Sequence, residues 1–265
     1  MRPQRRVIRK SIAAGLFCFL AGSPVASALN VQRLEPAELD QLKAVLAVLD
    51  PAIEQRRKDG NAAMLTWDEL YAPLDTGGRA FLDAFRALRA KDLGATSHYS
   101  GENTGAVQIV AVPEQRFVKD GQETPIDKQY LPKPALAAYE RMMAAMEKDI
   151  GKRLLVESGY RSPAYQLYLF VFYMSNHDYS ITETNRHVAL PGHSEHGNPS
   201  QQAIDFINQD GINGEYDPPA FEALPEYAWL QANAGKFGFT LSYPRNNPMN
   251  SAFEPWHWHY QAPDA

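Results

Sequence analysis

The run Ala203-Ile204-Asp205-Phe206-Ile207 sets one carboxylate among apolar residues, and that carboxylate constrains the fold more than any other position. On a strand, side chains two apart share a face, so Asp205 points with Ala203 and Ile207 and away from Ile204 and Phe206. Burying a carboxylate there is costly unless it is paired or bound to a metal. The other reading is a strand-end Asp held by backbone donors.

Partners of suitable chemistry lie on both sides of it. Ser194-Glu195-His196 stands nine residues upstream of Asp205, and Glu254-Pro255-Trp256-His257 closes the carboxy-terminal region. Together these motifs supply two imidazoles and two or more carboxyl groups, which are the parts of a hydrolytic zinc site. A catalytic zinc takes three protein ligands and keeps a fourth position for water. A nearby carboxylate that is not a ligand can accept that water's proton. Glu254 and His257 are three apart and would point to opposite faces of a regular strand. Both reach one metal only if the strand begins after Glu254, which Pro255 favours because proline lacks a ladder donor.

The first 28 residues read as an export signal. Arg2, Arg5, Arg6, Arg9 and Lys10 form a basic start, Ile12 to Gly22 an apolar run, and Ala26-Ser27-Ala28 a small-residue cleavage site. The apolar run is shorter than the ~20 residues a membrane span needs. Arg5-Arg6 leaves both the general and the twin-arginine export routes open. The expected localisation is periplasmic or secreted, with no stable membrane span after signal removal. Cys18 is the single cysteine and leaves with the signal, so the mature chain must rely on a hydrophobic core without disulfides. Five of the 26 Lys+Arg leave too, so 21 face 31 Asp+Glu, a formal net of −10. Such a surface argues against nucleic acid and anionic lipid as main partners.

The expected organisation is a mainly helical portion over residues 29–125 and a metal-site domain over 126–265. Leu39, Leu42, Val45, Leu46 and Leu49 recur at helical spacing, and Asp50-Pro51 is expected to break that helix. Trp67 to Tyr71 begins a short helix, and Phe81, Leu82, Phe85 and Leu88 form another stripe. Ser97 to Asn103 reads as a loop, Val107 to Val112 as a strand, and Pro113 to Pro134 as a polar connection. A strong helix follows from Pro134, with Tyr139, Met142, Met143 and Met146 on one side. Ser162 caps a helix that opens on Pro163. Ala203 to Ile207, Phe239 to Tyr243 and Trp256 to Tyr260 read as strands, and Phe221 to Lys236 as one helix. Helices first and strands interleaved with helices later predict an α+β fold with a small antiparallel sheet and flanking helices.

Ser158-Gly159-Tyr160-Arg161-Ser162, Pro191-Gly192-His193-Ser194-Glu195-His196, Ala203-x-Asp205 and Glu254-Pro255-Trp256-His257 occur in that order. Over roughly Tyr130 to Tyr260 the chain resembles the VanY-type D-alanyl-D-alanine carboxypeptidases, zinc peptidases of the LAS group that includes Sonic hedgehog. The resemblance implies a hedgehog/D-Ala-D-Ala peptidase-like fold and the zinc ligands His196, Asp205 and His257. It implies Glu254 as general base, Arg161 as the cation that steadies the substrate carbonyl or oxyanion, and Ser194 as a substrate contact. It further implies peptidoglycan stem peptides as substrate, cut before a terminal D-alanine.

The chain departs from the family's His-x-x-Gly-x-Ala-x-Asp spacing. His196 and Asp205 are nine apart rather than seven, and Gln201 stands where the glycine would be. Gly197-Asn198-Pro199 is expected to form a turn that absorbs the two extra residues. His259, where the family commonly has arginine, shares a strand face with His257 as an outer partner or a competing ligand. His187 and His193 read as loop histidines. Alternatives are a LAS-type endopeptidase and a zinc-bearing binding module without catalysis. Ser-x-x-Lys and His-Glu-x-x-His are both absent, which disfavours a serine-type carboxypeptidase and the commonest zincin layout.

Overall fold

The structure, a computed structural model, describes residues 29–94, 107–247 and 252–261. The expected export signal and the loop over Ser97 to Asn103 lie outside the described residues.

The amino-terminal portion is helical. α1 spans Pro36–Lys58, α2 Trp67–Tyr71 and α3 Thr76–Arg86. Thr66 and Asp75 cap the second and third through their side chains, each satisfying one orphan N–H of the first turn. Pro51 does not end α1, contrary to the sequence expectation. Leu42, Val45, Leu49 and Ile53 are all buried and continue one stripe past it. Packing of that stripe outweighs the single backbone bond that proline removes.

Two hairpin-like pairs follow. β1 (Ile109–Ala111) pairs antiparallel with β4 (Tyr130–Pro132), and β2 (Arg116–Lys119) with β3 (Gln122–Pro125). The polar stretch after Pro113 is therefore structured rather than a plain connection. Asp120 and Gly121, both at positive φ, make the turn between β2 and β3. α4 (Lys133–Ile150) buries Tyr139, Met142, Met143 and Met146.

The main sheet has the order β5-β6-β8-β7 and is antiparallel throughout: β5 Leu154–Ser158, β6 Gln201–Asn208, β7 Phe239–Leu241 and β8 His257–Gln261. One face carries Ile204, Phe206, Trp258 and Tyr260, which share a core with α4. α5 (Pro163–Tyr173) and α6 (Ile181–Thr184) lie between β5 and β6 in sequence. Ser162 accepts a bond from Tyr165 N at the start of α5, as its cap position predicts. The helix expected over Phe221 to Lys236 is instead α7 (Pro218–Glu222), α8 (Pro225–Asn233) and a 3-10 turn. Pro225 opens α8 at its first turn, where its missing N–H has no partner to lose.

The α1–α3 helices do not form a core of their own. Leu42, Leu49, Phe81, Leu82 and Phe85 pack in one cluster with Leu167, Tyr168, Phe170 and Val171 of α5. The Tyr168 hydroxyl also donates to Asp50 of α1 at 3.1 Å. No helix among the described residues is long and apolar enough to cross a membrane.

Candidate metal centre

Two sheet neighbours build the centre. Asp205 on β6 pairs in register with His257, the first residue of β8. Directly opposed residues of an antiparallel pair share a face, with Cβ atoms about 5 Å apart. Their side chains therefore meet, and His257 Nδ1 lies 2.8 Å from Asp205 Oδ1. The strand does start after Glu254. A turn bond from His257 N to Glu254 O swings that carboxylate back, so that Oε2 stands 3.8 Å from His257 Nδ1.

His196 arrives from a 3-10 turn, Glu195–Gly197, just before β6. Its Nδ1–H donates to the Gly159 carbonyl at 2.7 Å, which leaves Nε2 unprotonated and aimed at Asp205 Oδ2, 3.1 Å away. Asn198 O then accepts from Gln201 N at 3.1 Å, and this turn takes up the two extra residues before Asp205.

Gly159 must be glycine, because a Cβ there would stand 2.3 Å from the Tyr130 carbonyl oxygen of β4. Tyr160 N donates to that same oxygen at 2.6 Å. Gly159→Ala is expected to destabilise the fold by ~1–3 kcal/mol and to weaken metal binding by about tenfold or more. A thermal melt and a metal titration would register both. An unchanged metal affinity would show that the Gly159 carbonyl does not orient His196.

The outward nitrogen of His257 is also held. Nε2–H donates to Glu195 Oε2 at 3.0 Å, Ser242 Oγ donates to the same oxygen at 2.6 Å, and His259 Nδ1–H donates to Ser242 Oγ at 2.9 Å. A carboxylate on the far imidazole nitrogen fixes the ring's tautomer and directs the other nitrogen inward. His259 is thus an outer partner and does not belong to the metal-binding trio. Sequence reasoning assigned no role to Glu195, Ser242 or Tyr243. Glu195 sits inside a motif already singled out, yet nothing in one dimension says which imidazole it serves. Tyr243 lies against His257, ring centroids 4.9 Å apart. Burial, reinforced by Glu195 and Glu254, drives its phenol far above the usual value and keeps it a proton donor.

The electrostatics are those of a cation site. Burial alone would raise Asp205, but His196 and His257 overcome it and hold the carboxyl far below its usual range. Burial opposes charge on His257, yet Asp205 and Glu195 raise it to about 10. Burial and Arg161 depress His196. Burial pushes Glu254 up to about 7 despite His257.

The trio fits a metal ion. One donor atom from each of His196, Asp205 and His257 lies within 4.8 Å of the others. Bonds of about 2.0–2.1 Å at tetrahedral angles separate donors by roughly 3.3 Å; Asp205 places Oδ2 3.1 Å from His196 Nε2 and its other oxygen, Oδ1, 2.8 Å from His257 Nδ1. His196 Nε2 is buried and makes no hydrogen bond.

Arg161 and Ser194 line the same cleft, of about 1050 Å³, as does Glu254. Arg161 N donates to His196 O at 3.0 Å, which ties its loop to the histidine turn, and its buried Nε has no hydrogen-bond partner. Ser194 Oγ accepts from His196 N at 3.3 Å. His193 lines the cleft, and His187 does so stacked on His177, ring centroids 4.5 Å apart.

An antiparallel sheet and the turn beside it bring a His-Asp-His trio, a further carboxylate and a guanidinium into one cleft, which defines an α+β protein with a candidate metal site. The chain belongs to the family VanY: D-alanyl-D-alanine carboxypeptidase, matched over residues 128–263. It is 34% identical over 156 residues to a protein of Bacillus subtilis (strain 168) named carboxypeptidase YodJ, a match over 57% of this chain. The chain spans about half the length of that curated relative, 52%. Among solved structures it is similar to the LdcB LD-carboxypeptidase, with 30% identity and a TM-score of 0.46 over 60% of this chain and 69% of that one. It is also similar to a vancomycin resistance D,D-pentapeptidase VanY with Zn(II), at 19% identity and a TM-score of 0.44 over 63% and 86%.

Proposed function

We propose that the protein is a zinc-dependent D-alanyl-D-alanine carboxypeptidase acting on peptidoglycan stem peptides. The observation that carries this reading is the His196-Asp205-His257 trio with the Glu254 carboxylate beside it, 3.8 Å from His257 Nδ1 and outside the cluster of three donors. Membership of a family described by that activity supports it. Glu254 distinguishes an enzyme from a binding module, since a purely structural site has no use for a spare base.

His196, Asp205 and His257 would hold the ion, and a His₂-carboxylate set suits zinc. Zinc, when bound, supplies a Lewis acid that acidifies water and polarises a carbonyl. Glu254 takes a proton from the attacking water on its carboxylate and passes it to the leaving amine. Its proton affinity near neutrality suits both transfers. Arg161 offers a fixed cation to the scissile carbonyl oxygen as charge develops. Glu195 keeps His257 turned inward throughout, and Ser194 lines the cleft beside the trio as a substrate contact.

The test is incubation of the zinc-loaded protein with a defined stem peptide ending in D-Ala-D-Ala. Free D-alanine that disappears with a chelator and returns with zinc is expected. Larger fragments would instead assign the protein to the endopeptidases of the same group. No cleavage at all by fully zinc-loaded protein would defeat the reading.

A further inference from the structure

We propose that the amino-terminal helices add a carboxylate-binding subsite to the cleft, with Arg57 of α1 as its cation; the proposal rests on the peptidase reading above. Arg57 and the wall residues Gly60, Ala62 and Ala63 lie outside the segment matched to the family.

Part of the cleft wall comes from the amino-terminal portion. Arg57, Gly60, Ala62 and Ala63 line the same cleft as Arg161, Glu254 and the metal trio. This wall is tied directly to the loop of Arg161. Ser162 N donates to Ala63 O at 2.8 Å, Ser162 Oγ donates to Leu65 O at 2.6 Å, and the Tyr130 hydroxyl donates to Gly60 O at 2.7 Å. Gly60 is at φ +68, and a Cβ there would come 2.9 Å from Lys128 Cδ, so the chain reverses tightly against the cleft.

The last turn of α1 carries three cations, Arg56, Arg57 and Lys58. Cations at a helix carboxy terminus complement its dipole, and that accounts for their presence. It does not account for their different partners. Arg56 pairs with Glu69 at 2.9 Å and Lys58 with Glu54 at 3.6 Å. Arg57 alone turns into the cleft, where its Nε and Nη2 each lie 3.4 Å from the Tyr165 hydroxyl. No carboxylate of the described residues forms an ion pair with it, and its close neighbours are the phenols of Tyr165, Tyr168 and Tyr173. A partly buried guanidinium faced by neutral hydroxyls has unused donors in a planar fork that matches a carboxylate. Glu157 and Glu215 line the cleft too, but burial makes both hold their protons more tightly than exposed carboxyl groups do. A peptide with a carboxylate away from the scissile carbonyl can therefore rest its anion on Arg57 with its carbonyl near Arg161.

Two substrate groups share this chemistry, the terminal carboxylate and a side-chain or α-carboxylate upstream of the cut. Three D-Ala-D-Ala peptides resolve them: one with a free upstream glutamyl carboxylate, one with that group amidated, and one with an amidated terminus. Kd would be measured calorimetrically on zinc-loaded protein carrying Glu254→Gln, with and without Arg57→Gln or Arg57→Lys. KM and kcat would be measured on the Glu254 protein. Arg57→Gln is expected to weaken the peptide with both carboxylates free by about tenfold, as loss of a charged hydrogen bond does. It should leave unchanged the peptide whose Arg57-bound carboxylate is amidated. Arg57→Lys should retain part of the affinity, and kcat should stay within about twofold. Equal weakening of all three peptides by Arg57→Gln, or of none, would overturn the subsite. Wild-type binding that ignores both amidations would do the same. If the Glu254 protein cleaves nothing while these affinities still follow the pattern, the peptidase reading falls and the subsite stands.

Discussion

Glu254→Gln is expected to lower kcat by about two to four orders of magnitude, the contribution of a positioned general base, while zinc content stays at one ion per chain. Glutamine preserves the side chain's shape and its place beside His257 but cannot take a proton. The metal trio is untouched, because Glu254 Oε2 lies 3.8 Å from His257 Nδ1 and outside the cluster of three donors. The parent protein should also lose activity at acid pH, because burial makes Glu254 hold its proton more tightly than an exposed carboxylate does. There the base is spent before substrate arrives. Metal analysis and a pH–rate profile together check the prediction. Full turnover in the glutamine variant would remove Glu254 from the mechanism.

Asp205→Ala should abolish stoichiometric zinc binding and lower the stability of the metal-free protein as well. Among the described residues, Asp205 is the only acid that touches both imidazoles, at 3.1 and 2.8 Å. Without it His257 is a buried cation with Glu195 as its remaining close partner. Removing one member of a buried ion pair costs about 3–5 kcal/mol, or roughly 10 °C in Tm for a chain of this size. The pH dependence has a definite sign. His257 is raised from 6.5 to about 10 in the metal-free fold. The pair's contribution is therefore complete below about 6.5 and is lost as pH rises through about 10. The gap between the two proteins should narrow over that window. A variant that melts with the parent at neutral pH would contradict the paired reading of Asp205.

Several features were legible without coordinates. Period-two alternation around Asp205 identified a strand with one costly polar position, and Pro255 marked where the last strand had to begin. The sheet bears both out, with Asp205 and His257 in register. Ser162 and Pro163 announced the start of α5. Other features misled. Pro51 reads as a break, yet the stripe from Leu42 to Ile53 carries the helix through it. Phe221 to Lys236 reads as one helix, yet Pro225 divides it. In both cases local propensity is worth a few kcal/mol, and tertiary burial decides whether it prevails.

The sequence by itself determined the donor types, their order and the strand faces they occupy, because side-chain chemistry and backbone periodicity are local properties. Only the tertiary structure decided that Gly159 turns His196, that Glu195, Ser242 and His259 brace His257, and that Arg57 reaches the cleft from α1. These contacts join residues far apart in the chain or on unpaired elements. They depend on which surfaces pack together, and no spacing along a single strand or helix encodes that.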